Sequence, residues 1–209
     1  MLRGTLLSFL MILFAAPALG AQRQDYFTEE EADQIREARG NEVFGGGKEL
    51  QHRVPTYFKL ADKRLVALGL KDKSQKEKDQ ERKAREDYEK QVKAAQKAGR
   101  KPPPEPDLPD AYLLDFTRSE LLRGYSQALE EVMSNIDDVY SRKLDVRDAL
   151  ESLERYCREQ LPVLKAFQPK NAAETAALED AIETTERALR DSQAALEIVP
   201  KTEQSGRKP

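Results

Sequence analysis

The stretch "ELLRGYSQALEEVMSNIDDVYSRK" (residues 120–143) decides the fold class. Within it Leu122, Tyr125, Leu129, Val132, Ile136 and Val139 recur at alternating spacings of three and four, a heptad-like helical seam. A strand would need apolar residues at every second position, and no stretch of that kind stands out. Either Pro109 opens this helix, or Thr117 with Glu120 caps a later start.

Helix signals continue on both sides. Downstream, Asp145 is the expected N-cap of a helix carrying Leu150, Leu153, Cys157, Leu161 and Leu164, with Pro162 expected to kink it or end it early. After the turn "FQPKN", Asn171 with Glu174 caps a last helix whose Leu178, Ile182, Thr185, Leu189, Ser192, Leu196 and Val199 keep a 4-3-4-3 rhythm up to Pro200. Upstream, Thr28 and Glu31 form a capping box flanked by Phe27 and Ala32 in staple positions, and Gly40 closes that short helix. A further helix, expected to open at Pro55, places Val54, Phe58, Ala61, Leu65 and Leu68 on one face and stops at Gly69.

Between these lies a charged run. Residues 71–101 hold twelve Lys/Arg against seven Asp/Glu, a local +5 in a chain of net −3, which leaves the remainder near −8. Ser74 with Glu77 repeats the capping-box signature. Asp79 with Lys83, Glu81 with Arg85, Glu86 with Lys90 and Glu89 with Lys93 set acid before base at i,i+4. A helix over residues 75–98 follows, about 36 Å long at 1.5 Å per residue. Its apolar content is little more than Ala84, Tyr88 and Val92, so it reads as solvated, with contact to an anionic envelope surface as the alternative. Then "GRKPPPEPDLPD" (residues 99–110) breaks the helix, and its three consecutive prolines favour extended polyproline II.

These elements give an all-α fold: an antiparallel bundle of about four core helices, with a protruding charged helical arm and a Pro-rich return segment. Residues 21–70 supply the N-terminal helices, 71–109 the arm and linker, 110–200 the C-terminal three-helix part of the same bundle, and 201–209 a frayed tail. No repeat of 20–50 residues appears, so a solenoid is excluded.

Residues 1–20 read as a secretory signal peptide, with Arg3 as the basic region, "LLSFLMILFAA" as the apolar run, and Ala18 and Gly20 as the small residues before cleavage. An uncleaved anchor is the rival reading, and the apolar run is short for a membrane span. No cysteine follows the cleavage position, which disfavours a lipid anchor. No later run approaches membrane length, so the expectation is an exported, periplasmic or secreted chain with no membrane span after cleavage. Cys157 is the only cysteine and forms no internal disulfide. Its place on an apolar stripe makes it a core residue, with an intermolecular disulfide as the alternative.

Candidate chemistry is sparse. His52, the only histidine, stands in the E-x-x-H string Glu49-Leu50-Gln51-His52, which di-metal bundles use twice and which occurs here once. It reads as an incidental surface pair. One cysteine and one histidine over a hundred residues apart give no zinc site and no nucleophile with a base. Asp137 with Asp138 and Glu130 with Glu131 are neighbours that point apart on a helix. "FGGGK" (residues 44–48) lacks the outer glycine and the Lys-Ser/Thr ending of a phosphate loop. The expectation is therefore no enzyme, no catalytic residue, no cofactor and no metal. The partner is another protein or a second copy, not nucleic acid, because the arm interleaves acids with its bases and Tyr88 is its one aromatic.

Three segments together, "FTEEEADQIREARG", "RVPTYFKLADKRLVALG" and "ELLRGYSQALEEVMSNIDDVYSRK", resemble an uncharacterised family of predicted exported bacterial α-helical proteins. The resemblance rests on a Thr-x-Glu-Glu helix (residues 28–40), an A-x-x-R-L helix (61–65) and an N-I-D-D-x-Y string (135–140), and the three segments together hold 55 residues. It implies export and a helical fold, and brings no activity and no site. The chain is expected to act through its surfaces as an interaction or structural module of the cell envelope. A periplasmic holdase-like chaperone is the first alternative, and a ligand- or metal-binding bundle the second. The holdase reading requires a contiguous exposed apolar patch between helices.

Overall fold

A computed structural model describes residues 25–40, 50–105 and 110–199. The expected signal segment (residues 1–20), Glu49, the "FGGGK" string, residues 106–109, Pro200 and the expected tail lie outside the described residues. Among those described the order is α1 (Glu29–Gly40), α2 (Leu50–Ala67), α3 (Gln75–Lys97), a short 3-10 turn (Ala111–Asp115), α4 (Arg118–Ser141), α5 (Arg147–Lys165) and α6 (Ala172–Ile198), with no strand.

The core is a bundle of α2, α4, α5 and α6. The whole expected seam of α4 is buried, as are Leu150, Leu153, Cys157 and Leu164 of the expected α5 stripe, whereas its Leu161 is only half-buried. The principal packing pairs are α2 with α4, α4 with α6, and α6 with α5, while α2 and α5 barely meet. Side-chain bonds give the directions. Arg53 of α2 reaches Asn135 near the end of α4, and Arg64 passes Gly124 near its start, so α2 and α4 are antiparallel. Arg147 at the start of α5 bonds the Leu196 and Val199 carbonyls at the end of α6, so that pair is antiparallel too. Alternation then makes α4 and α6 parallel: Arg118 meets Glu174, Tyr125 meets Thr185 and Arg187 meets Glu130.

Between α4 and α5, the buried stripe of α6 is made mostly of small residues. Leu178, Thr185 and Ser192 of the expected rhythm are buried, together with Ala177, Ala181, Thr184 and Ala188, whereas its Ile182, Leu189 and Leu196 lie at the margins and are only partly covered. Small side chains let both neighbours approach closely, and the leucines cover the flanks.

Local signals hold with three exceptions. Thr117 with Glu120 caps α4, Ser74 with Glu77 caps α3, and Asn171 accepts from the Glu174 N–H at the start of α6. The start of α2, however, is Leu50, not Pro55. Leu50 and Val54 are buried in the core, and packing extends the helix one turn upstream at the cost of the bond Pro55 cannot donate to Gln51. Val146, not Asp145, occupies the N-cap of α5. The Asp145 carboxylate still serves the helix start by accepting from the Arg147 N–H at 2.9 Å. Finally, of the kink and the early end expected at Pro162, the early end does not occur, and α5 continues to Lys165.

The arm stands apart. No residue of α3 is buried, and α3 shares no extended interface with another described helix. The ion pairs within it are Asp79 with Arg82, Arg82 with Glu86 and Asp87 with Lys90, a different set from the i,i+4 expectation, because long exposed side chains exchange partners at little energy difference. Gly99, at φ 65°, ends it in a Schellman turn: the Arg100 N–H reaches the Ala95 carbonyl at 2.9 Å and the Gly99 N–H that of Gln96. The prolines then run back along α3. Ala84, Tyr88, Val92 and Ala95, less exposed than the residues around them and spaced by four and three, mark the covered side, where the Tyr88 hydroxyl donates to the Pro103 carbonyl at 3.4 Å.

Candidate functional site

Three consecutive residues near the C-terminal end of α2, Asp62, Lys63 and Arg64, each fasten a different part of the chain. Successive residues on a helix point about 100° apart, so one short stretch can serve three directions.

Arg64 points into the protein. It is 1% exposed and faces Glu31, which is 0% exposed. The guanidinium forms a two-pronged bridge, Nη1 to Oε1 at 2.8 Å and Nη2 to Oε2 at 2.7 Å, and also donates to the carbonyls of Leu60 and Tyr26. Its plane lies 5.3 Å from the Phe27 ring. Glu31 closes the α1 capping box at the same time, accepting from the Thr28 N–H while its own N–H reaches the Thr28 hydroxyl. The Tyr112 hydroxyl donates to Glu31 Oε1 at 3.2 Å. Burial, followed by the adjacent Glu31 and Asp110 carboxylates, pushes the Tyr112 pKa far up, so it remains a neutral donor. A fork of this kind satisfies both charges without solvent, which is what lets them lie inside.

Space for the guanidinium comes from Gly124 of α4. A Cβ there would sit 2.2 Å from Arg64 Nε. One buried ion pair thus joins α1, α2, the 3-10 turn and a notch in α4.

Asp62 and Lys63 hold the two roots of the arm. Lys71, at the start of the charged run, pairs with Asp62 Oδ2 at 2.7 Å, and Asp110, where the proline return ends, pairs with Lys63 at 2.7 Å. Asp62 also accepts from the Tyr156 hydroxyl of α5 at 2.9 Å, and Tyr156 stacks on Phe58 with ring centroids 4.2 Å apart. Glu77, in the first turn of α3, faces Lys59 and Lys63. Burial opposes its ionisation, but the Ser74 hydrogen bonds and those lysines outweigh it, and its pKa is lowered.

The weak α2/α5 contact leaves a groove of about 430 Å³, lined in part by Leu50, Val54, Phe58, Asp148, Arg155 and Tyr156. Its apolar walls are mostly buried: Leu50, Val54 and Tyr156 are each under 9% exposed. Among the described residues the large apolar side chains that stand out in solvent are Leu114, Tyr140 and Ile198, on three separate elements.

The residues weighed for chemistry do not converge. His52 is exposed on the first turn of α2, and no group of three or more potential metal ligands occurs among the described residues. Cys157 is 0% exposed, and burial raises its thiol pKa from 9 to about 12. Asp137 is exposed, and Asp138 pairs with Arg142. No described helix is long and apolar enough to cross a membrane.

Two sequence signals for the ionic node were available and went unread. Arg64 interrupts the apolar stripe between Ala61 and Leu65, and Gly124 lies inside the best-patterned helix, where glycine costs about 1 kcal/mol against alanine. α1, α2 and α4 interlock through Glu31 with Arg64 and through Arg53 with Asn135. No known protein family, curated protein or solved structure matches the chain.

Proposed function

We propose that this protein is a non-enzymatic, exported interaction or structural module of the cell envelope that works through its surfaces. The observation that carries this reading is the arm: an entire helix held off the core, with both of its roots pinned to adjacent residues of α2. Holding 23 residues in a helix that buries none of them contributes little to folding, so a contact outside the chain is the economical account of it. Export is supported by the basic-then-apolar N-terminal segment. The buried ionisable groups are taken up by packing between elements, which leaves surfaces as the working part.

The test is photocrosslinking in the envelope fraction of the native host, with the crosslinker placed at Lys83 on α3 or at Glu179 on the exposed face of α6. The expected outcome is discrete adducts from Lys83 that an excess of unlabelled full-length protein competes away. No adduct from either position, together with a monomer by sedimentation velocity, would overturn the reading. The holdase alternative is not favoured, because among the described residues only Leu114, Tyr140 and Ile198 are large apolar side chains standing out in solvent, on three separate elements.

A further inference from the structure

The charges of the arm are sorted along its length. From residue 71 to 89 seven bases face seven acids, and the shaft is neutral; from residue 90 to 101 there are five bases and no acid. All of the arm's +5 therefore sits at its far end. Lys90, Lys93 and Lys97 follow at i, i+3 and i+7, which sets them in a row on the side turned away from Tyr88, Val92 and the prolines. Arg100 and Lys101 extend the row past the Gly99 turn. All five are exposed, and none of Lys93, Lys97, Arg100 and Lys101 pairs with a carboxylate among the described residues. The remainder of the chain, near −8, is of opposite sign.

We propose that this distal row is a docking tip for anionic phospholipid headgroups; the proposal rests on the envelope reading above and names the arm's partner. A straight row of point charges on a convex helix end suits a planar array of phosphates better than a single enclosed ligand. The tip carries no large apolar side chain to insert, so its binding is electrostatic and sensitive to salt. Nucleic acid is the poorer fit, because the arm's one aromatic, Tyr88, is turned to the prolines and offers no face for base stacking.

The test is co-sedimentation of the full chain with vesicles of phosphatidylcholine alone or mixed with phosphatidylglycerol. Two variants are compared: a tip form with Lys90, Lys93, Lys97, Arg100 and Lys101 changed to Gln, and a shaft form with Lys76, Lys78, Arg82, Lys83 and Arg85 changed to Gln. Both lose the same charge, and the N-terminal apolar segment, common to all forms and vesicles, cancels in the comparison. Each base near such a surface contributes about a five-fold gain in partitioning. The expected result is a preference for the anionic vesicles that falls about 100-fold or more in the tip form and far less in the shaft form. Unchanged circular dichroism and denaturation midpoints establish that both variants fold. Equal loss in the two forms, or no preference in the parent protein, overturns the proposal. Stronger binding to duplex DNA than to vesicles at matched salt also overturns it, as does tip-dependent self-association without vesicle preference. The envelope reading fails separately, through the absence of crosslinks.

Discussion

Arg64 and Glu31 show how much of the structure can depend on one pair of side chains. Removing one partner of a buried pair strands the other charge, at a cost of about 3–5 kcal/mol. Glu31→Gln should therefore lower the urea midpoint sharply, whereas Glu31→Leu combined with Arg64→Met should recover most of the loss beyond the ~1 kcal/mol of the missing cap. A double-mutant cycle that returned no coupling would contradict the node. Gly124→Ala should destabilise by about 2 kcal/mol in denaturant titration, although alanine is the better helix former, because the added Cβ meets a guanidinium that its hydrogen bonds hold in place. Cys157 makes a pH-dependent contribution. The folded state holds its proton more tightly than the unfolded chain, so this stability is intact below pH 9 and is lost as pH climbs toward 12. Tyr125 and Tyr156, also pushed up by burial, act in the same direction. Urea midpoints should fall over that range, less steeply in Cys157→Ala, and alkylation of the native thiol should proceed at the rate of unfolding. The capping box at Thr28 was legible in the sequence. The second use of Glu31 was not, because a cap fully accounts for a glutamate at that position without burying it.

Among the elements, α4 was the most legible, since one face of it serves one core and every residue of its seam is buried. The pattern on α6 was harder to read, because its Ile182, Leu189 and Leu196 mark the flanks of the contact while small residues mark its centre. Pro55 misled for a different reason: a local preference for the first turn yielded to the burial of Leu50 and Val54. The end of α4 offers a test at this scale. Lys143 has φ 60° and terminates the helix with its N–H bonded to the Tyr140 carbonyl at 2.8 Å, a place where glycine is at ease and lysine is not. Lys143→Gly should raise stability by about 1 kcal/mol in denaturant titration. Unchanged or reduced stability would show that the lysine side chain compensates for the strained backbone.

As a whole, the molecule separates what folds from what reaches. Replacing residues 82–101 with a short flexible linker should shift folding free energy by less than about 1 kcal/mol, because no buried surface is lost and loop closure changes slowly with length. A larger loss in the denaturation midpoint would mean that the arm is part of the fold. The arm's length has an electrostatic consequence. At physiological salt the field of a charge fades over about 8 Å, whereas α3 from its start to Lys90 spans about 22 Å at 1.5 Å per residue. An acidic bundle brought directly against an anionic surface would be repelled. Carried at the end of a neutral shaft longer than the screening length, the cationic row is shielded from the charge of its own protein, and the surface it approaches responds to the tip alone.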